Sequence, residues 1–378
     1  MGQLKSLTAA QEAPASVLPL GNTTSNVTPP GAEHRLSRWR RQDLARDLLP
    51  GERVGACMRH VTPGRKTVDL VLDREHGRAH YGGLMVCGSV WSCPVCAAKI
   101  TERRRRELLD ALDREPGRWT LAMVTYTLQH SRADTLAEVR DALLDAYRRV
   151  IRGAPWKRFR DRWGVAGYVK ALEVTYGEHG WHPHCHVLLV LDRDQLSESE
   201  SAAMRGWLSD RFVRMVAKNE RYASDYHAVD LVVGDQALAS YTTKTSWGAV
   251  DELTKAPVKA GRDGGQSPWE LLDRYGSGDK QAGALFKEYA LTMKGSRQQT
   301  FSRGTRDLLG MGADLSDQVL AELEQEAGVV LATLTVDEWK TVCRRRARGL
   351  LLEVASSGNV LWLWSFLASL GIGPPGDE

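Results

Sequence analysis

The sequence lacks a hydrophobic run long enough to cross a lipid bilayer. Its most apolar stretch, Val360 to Ile372, has about thirteen residues, whereas a helix needs roughly 20 apolar residues to span the hydrocarbon core. We therefore expect no membrane partner. The stretch predicts a helix that is buried in the protein or that docks on another protein.

An export signal and a nucleotide-binding loop are also lacking. Residues Met1 to Gly31 contain no positively charged start followed by an apolar core, so no secretory signal is expected. They are rich in Ala, Pro, Ser, Thr and Asn, a composition typical of a disordered tail. No Gly-x-x-x-x-Gly-Lys-Ser/Thr pattern occurs, so any helicase activity must come from another protein. The sequence has no internal repeat.

Charge is nearly balanced, with 51 Lys and Arg against 47 Asp and Glu and a net charge of +4. Arginine is nevertheless clustered at Arg103–Arg106, between Arg148 and Arg162, and at Arg344–Arg346. Such patches suit a polyanion better than a uniformly basic surface does. For any single cluster, a solvated helix face is the simpler interpretation.

Cysteine is scarce, and four of the six cysteines are spaced as metal ligands. Cys93 and Cys96 belong to a Cys-Pro-x-Cys turn, which presents two thiolates to one metal ion. Cys87 is near enough to supply a third ligand, and Cys57 supplies a fourth across an intervening hairpin. Four thiolates close a tetrahedral structural Zn²⁺ site.

A redox pair is the alternative for a two-residue cysteine spacing. Pro94 and the two additional cysteines favour zinc. In a reducing cytoplasm none of the cysteines is expected to form a disulfide. Cys185 and Cys343 are isolated, and we expect both to be small buried side chains.

Three histidines alternate before an apolar run. His182, His184 and His186 precede Val187-Leu188-Leu189-Val190. Alternation with a period of two is strand geometry, so the three imidazoles share one face and Cys185 lies on the other, toward a core. Two imidazoles on a rigid strand form half of a metal site. The alternative is that they are ordinary hydrogen-bonded polar residues.

Hydrophobic periodicity predicts an α+β fold with a central antiparallel sheet and helices packed on one of its faces. The predicted central elements are, in order, strand Trp119–Leu128, helix Val139–Ile151, strands Ala166–Tyr176 and Trp181–Asp192, helix Leu196–Ala217, strand Asp225–Val233, and a helix from Asp235 to about Thr245. The second and third strands form a hairpin around Gly177–Gly180. This hairpin puts Glu173 beside the histidine strand, on a face that depends on the register.

The flanking elements divide the chain into four segments. A strand over Thr67–Asp73 and helices over Arg35–Asp47 and Ala97–Leu112 precede the central part, and helices within Trp269–Tyr275, Ala282–Met293, Leu315–Gly328 and Val336–Glu353 follow it. The predicted segments are a disordered tail (1–34), a basic helix with the cysteine module (35–116), a central domain (117–250) and a helical C-terminal region (251–378).

Three motifs occur in a fixed order. They are Thr125-Tyr126-Thr127-Leu128-Gln129-His130, His182-Pro183-His184-Cys185-His186 and Tyr241-Thr242-Thr243-Lys244. With the upstream cysteines, they resemble the HUH endonucleases and, within them, the single-tyrosine Rep proteins that initiate rolling-circle replication of plasmids. The resemblance spans roughly Arg53 to Leu309 and implies the HUH endonuclease fold for the central domain.

The resemblance implies a role for each matching residue. His184 and His186 correspond to the pair that binds Mg²⁺ or Mn²⁺, Tyr241 to the nucleophile, and Lys244 to its accompanying lysine. A tyrosine with a pKa near ~10 is a weak nucleophile at neutral pH, so it needs a phosphorus made electrophilic by the ion. The product is a 5′-phosphotyrosyl link beside a free 3′-hydroxyl.

Two further candidate residues for the metal site are assigned by position alone. Glu173, in the preceding strand, is a candidate third metal ligand, and His182 is a further ligand or a hydrogen-bond donor to one.

Some initiators of this type carry a glutamate four residues before the tyrosine to activate water at termination, and here that position is Ala237. No residue is assigned to that role; Asp235, Glu173 and Glu220 are the available carboxylates.

The expected function is a site-specific DNA nickase and strand transferase in the bacterial cytoplasm. Its expected partners are plasmid origin DNA, single-stranded or hairpin at the nick, and the host helicase, polymerase and single-strand binding protein. A transposase or a relaxase with the same site is one alternative, although relaxases usually place the tyrosine before the histidines and such transposases are usually shorter. A non-enzymatic zinc-containing DNA-binding protein is the other.

Overall fold

The N-terminal part combines a helix, a hairpin and the cysteine turn. The computed structural model describes residues 32–115, 117–219, 221–234, 265–323 and 328–374. The first elements are α1 (Ala32–Leu48), a 3-10 turn (Arg53–Gly55), β1 (Thr67–Asp73), β2 (Arg78–Gly82) and α2 (Pro94–Asp113). Helix α1 begins three residues before the predicted start at Arg35.

The central part follows the predicted order as far as the structure describes it. Its elements are β3 (Thr120–Tyr126), α3 (Leu136–Val150), α4 (Gly153–Trp163), β4 (Val165–Gly177), β5 (Gly180–Leu191), α5 (Glu198–Val216) and β6 (Val229–Val233). Helix α3 begins at a capping box in which Thr135 accepts from the backbone of Glu138, and α5 at the equivalent box of Ser197 and Glu200. Helix α4 was not predicted, because its basic residues obscure a short apolar stripe.

The C-terminal part is mainly helical, as predicted, but it also contributes two strands. Its elements are α6 (Pro268–Gly276), α7 (Lys280–Met293), β7 (Gln299–Phe301), α8 (Thr305–Leu308), α9 (Asp317–Glu322), β8 (Val329–Thr335), α10 (Val336–Arg344), α11 (Arg348–Ser356) and α12 (Val360–Ser369). The predicted helix over Val336–Glu353 is interrupted after Arg344, where Arg346 adopts a φ of 52°.

The central sheet is antiparallel, with strand order β6-β3-β5-β4-β7. Strands β4 and β5 form the predicted hairpin, paired from Val165 with Leu191 at one end to Gly177 with Gly180 at the other. Gly180 has a φ of 93°, and a Cβ there would lie 3.0 Å from the Cα of Arg132. The turn therefore requires glycine both for its conformation and for its close packing.

Helices cover both faces of this sheet, so the prediction of helices on one face was wrong. On one face, α3 and α5 bury residues such as Leu143 and Phe212 against Cys185 and Val187. On the other face, Leu108 of α2 packs with a separate group of core residues: Leu121, Met123, Val169, Ala171, Leu188, Val190, Leu309 and Met311. The continuous apolar run at the end of β5 explains the difference, because a strand covered on both faces does not alternate.

A second, three-stranded antiparallel sheet has the order β2-β1-β8. Strand β8 pairs with β1 from Thr335 opposite Thr67 to Val329 opposite Leu72, with an irregularity between Leu70 and Val71. This sheet joins the predicted cysteine segment to the predicted C-terminal region. Strand β8 was not predicted, because a seven-residue apolar run does not by itself distinguish strand from helix.

The predicted C-terminal apolar helix is present as α12, and it is buried on one side only. Leu363 and Leu367 are fully buried, whereas Leu361 and Trp362 are 81% and 64% exposed. No helix among the described residues has the length and hydropathy that crossing a membrane requires.

Candidate functional site

The three histidines lie on one face of β5, as their alternation predicts. Direct partners across an antiparallel ladder point to the same face, and the register pairs Glu173 of β4 with His184. On the other side, Thr125 of β3 pairs with His186. The face therefore collects polar side chains from three adjacent strands.

Both ring nitrogens of His186 have partners. Nε2 lies 3.0 Å from Glu173 Oε2 and Nδ1 lies 3.1 Å from the Thr125 hydroxyl. His186 is buried, and the side chain of Glu173 is only 12% exposed. An ionised Glu173 can only accept, so Nε2–H donates to Glu173 and Nδ1 accepts from Thr125. The two contacts fix the orientation of the imidazole.

His182 forms a pair with a residue to which the sequence assigned no role. His130 Nδ1 donates to the His179 carbonyl oxygen at 3.0 Å, so its Nε2 is free to accept from His182 Nδ1–H. Burial, followed by the neighbouring His130, lowers the pKa of His182 to about 4. His182 is thus neutral near pH 7, mainly because it is buried, and the lone pair of its Nε2 is available as a ligand.

His184 lies between the other two histidines. Its ring is parallel to that of His186, with centroids 5.8 Å apart, and is nearly perpendicular to that of His182 at 4.2 Å. Burial is the main cause that lowers the pKa of His184 well below its usual value. Its Nδ1 is buried and has no hydrogen-bond partner among the described residues, which is unusual for a buried polar atom.

The predicted nucleophile and its companion lie outside the described residues. Tyr241 and Lys244 fall between residues 235 and 264, as do Asp235 and Ala237, and Glu220 is also outside. Of the three motifs, the structure therefore describes only the first two, which meet at the face of β5 that carries the histidines (the histidine face). The sequence assigned no role to Thr125 or His130. Both belong to the first of the three motifs, and that membership was the signal that they contact the histidines.

The four cysteines predicted to bind zinc form a buried cluster. Their sulfur atoms all lie within 4.8 Å of one another, and three of the separations are 3.5, 3.6 and 3.7 Å. Four ligands at ~2.3 Å from one tetrahedral Zn²⁺ are about 3.8 Å apart. The cluster could therefore hold a metal ion such as zinc. Cys185 and Cys343 are buried elsewhere, as predicted.

Backbone pairing brings the sequence-distant cysteines together. Met58 N–H donates to the Met85 carbonyl at 2.7 Å, and Met85 N–H donates to the His60 carbonyl at 2.8 Å. These bonds join the loop that carries Cys57 to the loop that carries Cys87, across the β1–β2 hairpin. Cys93 is the N-cap of α2, so the first turn of that helix supplies the other two sulfurs.

Gln42 of α1, which the sequence did not indicate, supports the cysteine cluster. Its amide nitrogen donates to the Cys93 sulfur at 3.1 Å. An amide donor lowers the negative charge on a ligating thiolate and fixes its orientation. Gln42 is fully buried, so this contact is shielded from water.

Comparison with known proteins identifies the family. Residues 85–341 match the replication protein family. The chain belongs to that family. The matched range includes the histidine strand, Tyr241 and three of the four cysteines, and Cys57 lies before it.

Relatives from Streptomyces agree with the family. Protein rep of Streptomyces lividans is 31% identical to this chain, and the alignment covers 73% of this chain and 76% of the relative. A protein of Streptomyces cyanogenus called neomycin resistance protein is 36% identical over 29% of this chain and 31% of its own length. No solved structure matches the chain. The family and the first relative support a replication protein of the plasmid initiator class.

Proposed function

We propose that this protein nicks one strand of plasmid origin DNA and thereby initiates rolling-circle replication. The observation that carries the proposal is the face on which His184, His186 and Glu173 meet, in a chain that belongs to the replication protein family. The resemblance of the ordered motifs to single-tyrosine HUH endonucleases supplies the reaction type.

His184, His186 and Glu173 are the residues that would hold a divalent ion, with His182 as a further ligand. Two ligand atoms at right angles, each ~2.1 Å from an octahedral ion, are about 3.0 Å apart, and His186 Nε2 and Glu173 Oε2 are 3.0 Å apart. His184 is held neutral, which is the form of imidazole that binds metals. When bound, Mg²⁺ or Mn²⁺ would neutralise charge on the scissile phosphate and orient it.

Tyr241 is the proposed nucleophile. Its phenolic oxygen forms a bond to phosphorus, the bond from phosphorus to the 3′ oxygen of the preceding nucleotide breaks, and the phenolic proton is transferred to that oxygen. Lys244 follows Tyr241 by three residues and would stabilise the phenolate. The reaction consumes no water, and the 5′-phosphotyrosyl bond keeps the strand available for rejoining.

The resulting 3′-hydroxyl is a primer, which assigns roles to partner proteins. A host polymerase would extend it, a host helicase would open the duplex, and a single-strand binding protein would cover the displaced strand. No residue is proposed for water activation at termination.

Incubation of the full chain with supercoiled plasmid carrying its origin and Mn²⁺ tests the proposal. We expect nicked circles and a denaturant-stable adduct of protein on the 5′ end. Tyr241→Phe should bind the DNA and form no adduct. Tyr226→Phe is the matched control, because it removes the hydroxyl of an exposed tyrosine that lies outside the three motifs, and it should leave adduct formation unchanged.

Two results would contradict this function. An adduct that persists in Tyr241→Phe would move the nucleophile to another residue. Plasmid binding with neither nicking nor adduct in the unmodified chain would favour the non-enzymatic DNA-binding alternative.

A further inference from the structure

The three arginine clusters differ in how many of their side chains are paired with other groups of the protein. In the α2 cluster, Arg103 donates to the carbonyl oxygens of Leu320 and Leu323, and Arg104 is buried against Asp317. The other two arginines of that run, Arg105 and Arg106, both bond Glu102. This cluster attaches α2 to its surroundings and is not a free cationic surface.

In the second cluster, Arg148 and Arg149 pair with Asp145, whereas the basic side chains on and just before α4 are mostly uncompensated. Arg152, Lys157 and Arg158 are exposed and form no ion pair with any described residue. Arg162 is also exposed and lies over the Trp163 ring at 5.0 Å, a contact that leaves its charge uncompensated. We call these four side chains the α4 surface.

The α4 surface concentrates positive charge in a nearly neutral chain. Residues 152–163 contain five Lys or Arg and one acidic residue, Asp161, whereas the net charge of the whole chain is only +4. Surplus charge of this density repels itself and is stabilised by a polyanion. The surface is therefore complementary to a phosphate backbone.

The fold holds this surface rigidly. Trp156, Phe159 and Trp163 anchor α4 in the core and are at most 8% exposed. At the junction with α3, Arg211 donates to the carbonyl oxygens of Arg149, Val150 and Arg152 at 2.8–3.0 Å. The cations of α4 are therefore presented on a fixed scaffold.

Both the aromatic residues and the dimensions favour double-stranded DNA over a single strand. Single-strand binding surfaces stack bases on exposed aromatic rings, and the aromatic rings of α4 are buried. The helix has 11 residues, and at ~1.5 Å per residue it is about 16 Å long. That length can face phosphates on both sides of a major groove, which is ~12 Å wide.

The α4 surface is separate from the histidine face. Helix α4 ends two residues before Val165, which pairs with Leu191 at the end of the hairpin opposite to the turn. Leu191 is five residues beyond His186, or about 16 Å along the strand. Helix α4 also packs on the sheet face opposite to the histidines, because Trp156 contacts Tyr168, whose partner Leu189 alternates with the histidines. The surface therefore does not touch the phosphate that is cleaved.

We propose that the α4 surface binds the phosphate backbone of duplex DNA beside the nick. The proposal rests on the proposed function only in taking DNA as the substrate. It adds a second contact, which holds the double-stranded flank while the histidine face engages the strand to be cut. Such contacts position the DNA and carry no sequence information.

A binding experiment without chemistry tests this proposal. The full chain carrying Tyr241→Phe is titrated with a labelled 20-base-pair duplex and with one of its single strands, from 50 to 200 mM NaCl. Adding Arg152→Gln, Lys157→Gln and Arg158→Gln should weaken duplex binding at least about tenfold at 50 mM salt and reduce the salt slope by about 2.7. Single-strand affinity should change less than about twofold.

The triple variant Arg344→Gln, Arg345→Gln, Arg346→Gln is the matched control. It removes the same charge from another exposed cluster and should leave duplex binding and the salt slope unchanged. Circular dichroism melting should be the same for both triple variants, because all six side chains are exposed.

Three results would overturn the proposal. They are an unchanged salt slope in the α4 variant, equal losses for duplex and single strand, and displacement of the duplex by polyglutamate at lower charge concentration than by unlabelled duplex. The last would indicate an acidic protein partner. None of these depends on adduct formation, so a failure here is distinguishable from a failure of the nickase function.

Discussion

Glu173 Oε2 lies 3.0 Å from His186 Nε2. The direct partner of Glu173 in the β4–β5 ladder is His184, so the contact with His186 is a diagonal one. One carboxylate therefore contacts one member of the histidine pair and stands opposite the other. Because both sit on central strands, the separation is set by the sheet and does not depend on a loop. The separation of the two atoms suits the divalent ion proposed above.

Glu173→Gln should weaken metal binding more than it disturbs the fold. The amide keeps the size of the side chain and loses its charge, so we expect the Mn²⁺ concentration needed for half-maximal adduct formation to rise about 10- to 100-fold. Calorimetric titration of Mn²⁺ without DNA gives an independent measurement. Glu178→Gln, at the exposed hairpin turn, is the control. An identical Mn²⁺ dependence in Glu173→Gln would remove Glu173 from the metal site.

Cys57→Ser tests whether the cysteine cluster binds one zinc ion with four sulfurs. We expect one zinc per purified chain by elemental analysis and substoichiometric zinc in the variant. A lost structural metal should lower the free energy of unfolding by at least ~3 kcal/mol, or Tm by at least about 4 °C for a chain of this length. Cys343→Ser alters a buried cysteine outside the cluster and should retain its zinc. Full zinc content in Cys57→Ser would show that the site needs only the other three sulfurs.

The sequence was sufficient for the parts of the fold that local pattern determines. The β4–β5 hairpin follows from two apolar runs around Gly177–Gly180, and the shared face of the histidines follows from their alternation. The register was not available from the sequence. The pairing of Glu173 with His184 depends on the number of residues in the turn and on packing against both sheet faces.

Long-range contacts account for what the sequence did not predict. Strand β8 is defined by pairing with β1, about 260 positions earlier, and a local pattern holds no information on that partner. Gln42 reaches Cys93 from a different helix, in a stretch that is otherwise simply basic. His130 acquires its role only because the hairpin turn brings His179 and His182 to it.

Glu102 should make stability depend on pH in the acidic range. Its carboxylate accepts from Arg105 at 2.8 and 2.9 Å, and these hydrogen bonds are the largest cause of a pKa lowered from 4.5 to about 2. A lowered folded-state pKa means that the ionised group stabilises the fold above pH 4.5 and that this contribution is lost as pH falls toward 2. Glu102→Gln should therefore lower Tm at pH 7, and its gap from the unmodified chain should narrow between pH 5 and pH 3. A gap that stays constant over that range would mean that Glu102 acts through packing alone.

A buried arginine connects the C-terminal region to the cysteine cluster. Arg348 is 1% exposed; it donates to Gln42 Oε1 at 2.6 Å and forms an ion pair with Asp43, which also pairs with Arg59. Its own carbonyl accepts from the Tyr81 hydroxyl at 2.7 Å. Helix α11 is thereby joined to α1 and to the small sheet through one residue.

Arg348→Met should therefore destabilise the fold and loosen the zinc together. Breaking a buried ion pair from one side costs about 3–5 kcal/mol, and we expect a loss near the lower value because Arg59 still compensates Asp43. Gln42 would keep its place beside Cys93 less firmly, so zinc transfer to a colorimetric chelator should be faster than in the exposed control Arg345→Met. Urea unfolding and chelator kinetics measure the two effects separately. If Arg348→Met unfolds at lower urea but releases zinc at the rate of the control, then Gln42 is positioned by α1 alone, and the C-terminal region has no influence on the cysteine cluster.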